Sequence, residues 1–203
     1  CAKIIKKHFP NKLLITGGVN AKSRPEIFFK AGFDIICTSE AEATIQKIVQ
    51  CLQKDSRDFS SIGKIYFKDK FGKIIDNSHF GDIIINLDKL PIPAWDLLPN
   101  KRYWKVGRPH GGKADPGVEL RYAAMMTSRG CPFQCSYCHI AEEVEGSKSG
   151  NIGKFRFKSD DRVIHELEIL KDNIGAKQIF IEDDSIFGMK RRAIRLLKKI
   201  VGM

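Results

Sequence analysis

The chain has 203 residues, 42% of them hydrophobic and 29% charged, with a formal net charge of +11. That composition belongs to a globular chain, and no apolar run in it is long enough to span a bilayer, so neither membrane insertion nor a membrane partner is expected of it. The positive excess invites a nucleic-acid reading, yet the lysines are dispersed, many of them on helix faces such as Lys198 and Lys199, with no aromatic-interleaved patch; a solvated surface accounts for them.

Cys1, Cys37 and Cys51 are scattered while three further cysteines are grouped, which argues for a reducing, cytoplasmic setting over a disulfide framework. From the start, residues 2–7 look helical. Residues 12–16 read as a buried-type strand ended by Gly17 and Gly18, 25–31 as a helix stopped by Gly32, and 33–37 as a second strand. A helix over 42–53 carries Ile45, Ile48, Val49 and Leu52 on one face. Alternation of this kind implies a parallel sheet flanked by helices. Paired glycines at the end of a strand most simply terminate it, although bare peptide there would also let a bulky ligand or its phosphate come close to the backbone.

Residues 56–121 read as a connector. Strands at 64–68 and 72–76 flank the turn at 69–72, a hairpin signal. Pro91, Pro93, Pro99, Pro109 and Pro116, with Gly107, Gly111, Gly112 and Gly117, then predict an irregular stretch of the sort that serves as a cover or hinge. Trp95 and His110 have no residue-level role beyond packing or solvation.

Residues 122–127 form an apolar run of strand length, broken by Ser128, Arg129 and Gly130. Cys131, Cys135 and Cys138 follow, spaced Cys-x-x-x-Cys-x-x-Cys, on the loop leaving a strand's C-terminal end, where α/β folds bind ligands. Three thiolates from one short loop can hold three irons of a cubane and leave the fourth iron without a protein ligand. Three other readings stand beside this one. Cys135, Cys138 and His139 fit the Cys-x-x-Cys-His signature of c-type haem, which requires export, and no leader is visible. The three cysteines with His139 could also supply four ligands to a structural zinc, though His139 directly follows a ligand and is poorly placed to close the tetrahedron. Buried thiols are the plainest option.

Beyond the loop, Ser159 or Asp160 is placed to cap a helix whose apolar face is Val163, Ile164, Leu167 and Leu170 and which Gly175 ends. A strand at 178–181 runs into the acidic turn Glu182, Asp183, Asp184, and a basic amphipathic run occupies 191–200. Strand, loop, helix, strand, acidic turn and helix make the opening of a (β/α) barrel. The chain begins with Cys1 and stops inside a helical run, so it reads as a fragment of a longer protein that is incomplete as a catalyst on its own.

The cysteine loop, together with the runs at 90–96 (LPIPAWD), 155–159 (FRFKS) and 179–185 (IFIEDDS), resembles the radical S-adenosylmethionine (SAM) enzymes that carry a cobalamin-binding domain ahead of the radical domain. The resemblance covers nearly the whole chain. It implies an α/β fold in three parts: residues 1–55 as the C-terminal part of a cobalamin-binding Rossmann-like domain, 56–121 as the connector, and 122–203 as the start of a radical SAM core, a partial (β/α) barrel. It further implies a 4Fe-4S cluster on Cys131, Cys135 and Cys138 in a loop shaped by Gly130 and Pro132, and reductive cleavage of SAM to a 5'-deoxyadenosyl radical. Tyr137 is then the aromatic residue near the adenine, and Glu182, Asp183 and Asp184 the acidic motif that meets the SAM amino group. Arg156 and Ser159 are weaker candidates, expected to be structural. Gly17 and Gly18 are implied to lie against cobalamin.

Two departures bear on the cobalamin part. The family's Gly-Glu-x-Glu is Ser39-Glu40-Ala41-Glu42 here, and the Asp-x-His-x-x-Gly axial-ligand motif of many cobalamin proteins is absent. The implied outcomes are methyl transfer to an unspecified small-molecule or peptide substrate, or a cobalamin-assisted rearrangement or ring closure, with an electron donor such as a flavodoxin or ferredoxin. Two alternatives remain at this point: a radical SAM methylthiotransferase acting on RNA or protein, and a non-catalytic iron-sulfur or zinc module.

Overall fold

A computed structural model describes residues 1–81, 83–106, 120–140 and 153–203. Gly107, Pro109, His110, Gly111, Gly112, Pro116 and Gly117 of the predicted irregular stretch lie outside the described residues. The chain divides into two units, 1–84 with 134–154 and 85–133 with 155–203.

The first unit is a four-stranded sheet with helices. In chain order it has α1 (Ala2–His8), β1 (Ile15–Thr16), α2 (Val19–Ser23), α3 (Pro25–Ala31), β2 (Ile35–Cys37), α4 (Glu42–Gln53), β3 (Ile65–Lys68) and β4 (Ile74–Asp76). The strand order is β1-β2-β3-β4; β1 is parallel to β2, with Ile15 opposite Ile35, and β2–β3 and β3–β4 are antiparallel. Every residue of β2 is buried, as a strand covered on both faces requires. Ile35 packs with Ile48, Phe59, Ile65 and Phe67, whereas its neighbour Ile36 packs with Ala21, Phe29 and Tyr66, the alternation that a pleat dictates. Pro25 opens α3, and Gly32, at φ 106, closes it in the left-handed conformation that glycine takes without strain.

Two expectations change here. The hairpin assigned to the connector pairs with β2 (Ile36 opposite Tyr66), so its strands extend the first sheet. Of the predicted α4 stripe, Ile48 is fully buried and Leu52 packs at the core's margin, whereas Ile45 and Val49 are 37% and 45% exposed.

The second unit holds α5 (Asn100–Val106), β5 (Tyr122–Met125), β6 (Ser128–Arg129), β7 (Arg156–Phe157), α6 (Asp160–Glu168), β8 (Gln178–Ile181) and α7 (Lys190–Val201). Parallel pairing joins β5 to β8 from Tyr122 opposite Gln178 to Met125 opposite Ile181, with α6 in the crossover. Val163, Leu167 and Leu170 bury themselves with Ala123, Met125 and Leu196. Ser159 caps α6, its Oγ accepting from Arg162 N at 3.1 Å. The run 90–96 and the residues just before it also find their place. Ser159 N donates to Asp88 Oδ1 at 2.8 Å and Arg162 Nη2 to the Leu90 carbonyl at 2.8 Å, which ties that segment to the start of α6. Among the described residues no helix is long and apolar enough to cross a membrane. The fold is thus mixed α/β, with parallel strand pairs in two of its sheets.

Candidate functional site

The C-terminal ends of β5 and β8 lie side by side in the second unit, and the residues between β5 and the first cysteine are held by the turn after β8. Asp183 Oδ1 accepts from Thr127 N (2.5 Å) and Ser128 N (3.1 Å), and Oδ2 from Thr127 Oγ1 (2.5 Å) and Ser128 Oγ (2.7 Å). Asp184 Oδ2 accepts from Gly130 N at 3.1 Å. From the other side Arg192, on α7, donates to the Thr127 carbonyl (3.0 Å), to Thr127 Oγ1 (3.2 Å) and to the Lys158 carbonyl (3.2 Å), while its guanidinium lies 5.0 Å from the centre of the Phe157 ring. Burial pulls the Arg192 pKa below the usual guanidinium value, and the charges of Asp183 and Asp160 oppose that pull. The short β6–β7 pairing, with Ser128 opposite Phe157 and Arg129 opposite Arg156, completes the frame.

Packing fixes the next residue as well. Gly188 sits where a Cβ would be 2.8 Å from Pro132 Cγ and 3.0 Å from Phe155 Cε1, so the turn before α7 closes against the proline that follows Cys131. Gly130 has φ 77, a conformation open to glycine that reverses the chain ahead of the cysteines.

Cys131 and Cys138 are half-buried and Cys135 is exposed; all three thiols are free. Cys138 N donates to the Cys135 carbonyl at 3.0 Å, a tight turn across the last Cys-x-x-Cys. Three soft thiols fit the donor set that iron-sulfur irons take. Among the described residues no three His, Cys, Asp or Glu side chains are gathered as a metal site. Tyr137 is 91% exposed. Arg156 is buried in β7 and Ser159 caps α6, both structural placements.

In the first unit, Gly17 comes close to β2: a Cβ there would be 3.4 Å from the Cys37 carbonyl oxygen. Gly18 has φ 88 with open space where a Cβ would stand. A cavity of about 150 Å³ is lined by Gly18, Val19, Lys22, Cys37, Thr38, Ser39 and His139. The Thr38 hydroxyl is buried and has no hydrogen-bond partner among the described residues, and burial pushes the Cys37 thiol up to about 11.

Sequence reasoning missed Thr127, Ser128, Thr38, Gly188 and Arg192. Arg192 was legible in its spacing, for Arg192, Leu196 and Ile200 recur every four residues on the stripe that packs into the core.

No family model matches the chain. It is 34% identical over 202 residues to "Uncharacterized methyltransferase PH0819" of Pyrococcus horikoshii, covering 98% of this chain and 39% of that protein. It is 23% identical over 200 residues to the "Cobalamin-dependent radical SAM methyltransferase TokK" of Streptomyces tokunonensis, covering 96% of this chain and 26% of that protein. Among solved structures it superposes on the radical SAM methyltransferase TsrM of Kitasatospora setae with a TM-score of 0.67 at 14% identity, covering 98% of this chain and 35% of that one. It matches the cobalamin-dependent SAM radical enzyme OxsB with a TM-score of 0.64 at 20% identity, covering 91% of this chain and 23% of that one. At those identities the two structures show the fold alone. The chain spans well under half the length of each of these proteins. Among its relatives are methyltransferases, a cobalamin-dependent radical SAM enzyme among them, and two proteins named anaerobic magnesium-protoporphyrin IX monomethyl ester cyclase.

Proposed function

We propose that this chain, as part of a longer protein, carries the cluster loop and the first strands of the core of a radical SAM methyltransferase. One observation carries the reading: the Cys131-x-x-x-Cys135-x-x-Cys138 loop leaves a parallel strand whose end is fixed by charged hydrogen bonds. Cys131, Cys135 and Cys138 are the ligands of a 4Fe-4S cluster. When bound, that group supplies the electron that cleaves the sulfonium of SAM, and the protein contributes ligands, orientation and exclusion of water. A carboxylate of the acidic turn, at Glu182 or Asp184, suits the ammonium of SAM, and Tyr137 is exposed and available to lie against its adenine.

The names of the relatives support methyl transfer over methylthiotransfer. In this reading the first unit is the end of a Rossmann-like domain and the second the opening of a (β/α) barrel, with a flavodoxin or ferredoxin as electron donor in the cytoplasm. Cobalamin is tested by the cavity at Gly18. Lys22, Ser39, His139 and the buried Thr38 hydroxyl in its lining suit a polar arm of such a ligand, but about 150 Å³ is too small for a corrin ring.

The test is electron paramagnetic resonance of the full-length protein, reconstituted anaerobically with iron and sulfide and reduced with dithionite, with and without SAM. A reduced-cubane signal that changes on adding SAM, together with release of 5'-deoxyadenosine or S-adenosylhomocysteine, is the expected result. Stoichiometric zinc with no SAM-dependent signal would instead make the loop structural.

A further inference from the structure

We infer that Asp183 is a positioning residue, acting through Thr127 and Ser128 on the approach to Cys131, and not a ligand of SAM; the inference rests on the proposed cluster at Cys131. An ionised carboxylate has about four lone-pair sites. Asp183 already receives four donors, two backbone amides and two hydroxyls, all from Thr127 and Ser128. That leaves no site for the ammonium of a ligand.

The donors show what the carboxylate is for. Thr127 and Ser128 are 0% and 1% exposed, and each gives Asp183 both its amide and its hydroxyl. Thr127 is held on every polar atom: its amide and hydroxyl donate to Asp183, its hydroxyl oxygen accepts from Arg192, and its carbonyl accepts from Arg192 and from Lys158 N. A hydroxyl has one proton to give, so giving it to Asp183 while accepting from a guanidinium fixes its direction. Asp184 takes the amide of Gly130, one residue before Cys131. Three of the four backbone amides preceding Cys131 are thereby bound to the carboxylates that follow β8. Residues that orient a metal ligand from outside the ligand set alter metal affinity and electronics when changed. A side chain that merely fills space between strands would not.

The experiment compares the full-length protein with its Asp183→Asn, Thr127→Ser and Thr127→Val variants after anaerobic reconstitution and desalting. It reads iron per chain, the reduced-cluster spectrum without SAM, the SAM dissociation constant of the loaded fraction, and Tm. Asparagine keeps the shape of Asp183 but turns an NH2 toward two of the donors. The expected result for Asp183→Asn is about tenfold weaker cluster retention and a shifted spectrum before SAM is added, with SAM affinity of the loaded fraction within about twofold of wild type. Thr127→Ser, which keeps the hydroxyl, should match wild type, and Thr127→Val should move in the direction of Asp183→Asn. Wild-type retention and spectrum with a tenfold or greater loss of SAM affinity would overturn the inference and make Asp183 a SAM ligand. A lowered Tm with retention, spectrum and affinity unchanged would overturn it in favour of packing alone. If the wild-type protein takes up no iron, the radical SAM reading fails first and this inference with it.

Discussion

Each unit of the chain contains a parallel strand pair whose C-terminal end faces a sharp change of chain direction, and the two ends are built from different materials. At the end of β1 and β2 the turn is made of what is missing: Gly17 lets the backbone lie against Cys37, Gly18 takes a positive φ, and the Thr38 hydroxyl has no partner among the described residues. At the end of β5 and β8 the turn is made of charge. Asp183, Asp184 and Arg192 bind the backbone of 127–130 directly. Glycine permits a path, whereas saturated carboxylates and a buried guanidinium specify one, since each unmade bond would leave a buried polar group unpaired. The second construction suits the fixed approach to Cys131 that the proposed cluster would need.

Both tryptophans of this chain, Trp95 and Trp104, belong to the second unit, so their fluorescence probes that unit's packing. The largest effect is expected at Arg192→Leu, which leaves Asp183 and the Thr127 carbonyl short of a buried charged partner. Urea titration followed by tryptophan emission should show a loss of about 3–5 kcal/mol, and a loss below about 1 kcal/mol would erase the contrast between the two ends.

In the first unit the sharpest handle is the Cys37 thiol. Its folded pKa, about 11, lies above its ordinary value of 9.0, so protonation favours the folded form; the contribution is complete below pH 9 and is lost as pH rises toward 11. Circular dichroism melts of wild type should lose on the order of 2 kcal/mol more across that window than melts of Cys37→Ala; parallel curves would show that the thiol is not desolvated. Gly188→Ala should cost about 1–2 kcal/mol by overpacking against Pro132, again read by tryptophan emission, and an unchanged midpoint would mean that the proline gives way. The smallest change is expected at Thr38→Val, where removing an unpartnered hydroxyl should be neutral or stabilising by up to about 1 kcal/mol; a clear loss in circular dichroism melts would reveal a hydrogen bond at that hydroxyl.

Local chemistry was readable from the sequence where it acts over a few residues. The spans of α3 and α4, the left-handed stop at Gly32, the cap at Ser159 and the strand at 178–181 all follow from capping and periodicity. Partner choice was not. Periodicity marks Ile65–Lys68 as a strand, but nothing within it says that Phe67 will lie opposite Ile35, more than thirty residues earlier. The spacing of Arg192 puts it on the stripe of Leu196 and Ile200, but nothing in that run names its acceptors, 34 and 65 residues away. The cysteine spacing suggests a ligand set, as proposed above, while the hydrogen bonds that Asp183 and Asp184 accept could be seen only in the structure.

The β3–β4 hairpin carries a practical lesson for anyone attaching a reporter to this protein. A Cβ at Gly63 would come within 2.4 Å of the Phe80 carbonyl oxygen, so the base of the hairpin admits no side chain there. At the tip the reverse holds: Phe71 is 82% exposed, and Asp69 Oδ1 organises the turn by accepting from Phe71 N and Lys73 N at 2.9 Å each. A dye or cross-linker at position 71 would thus ride on a stiff stalk with a closed root, following the motion of the first sheet without entering its packing.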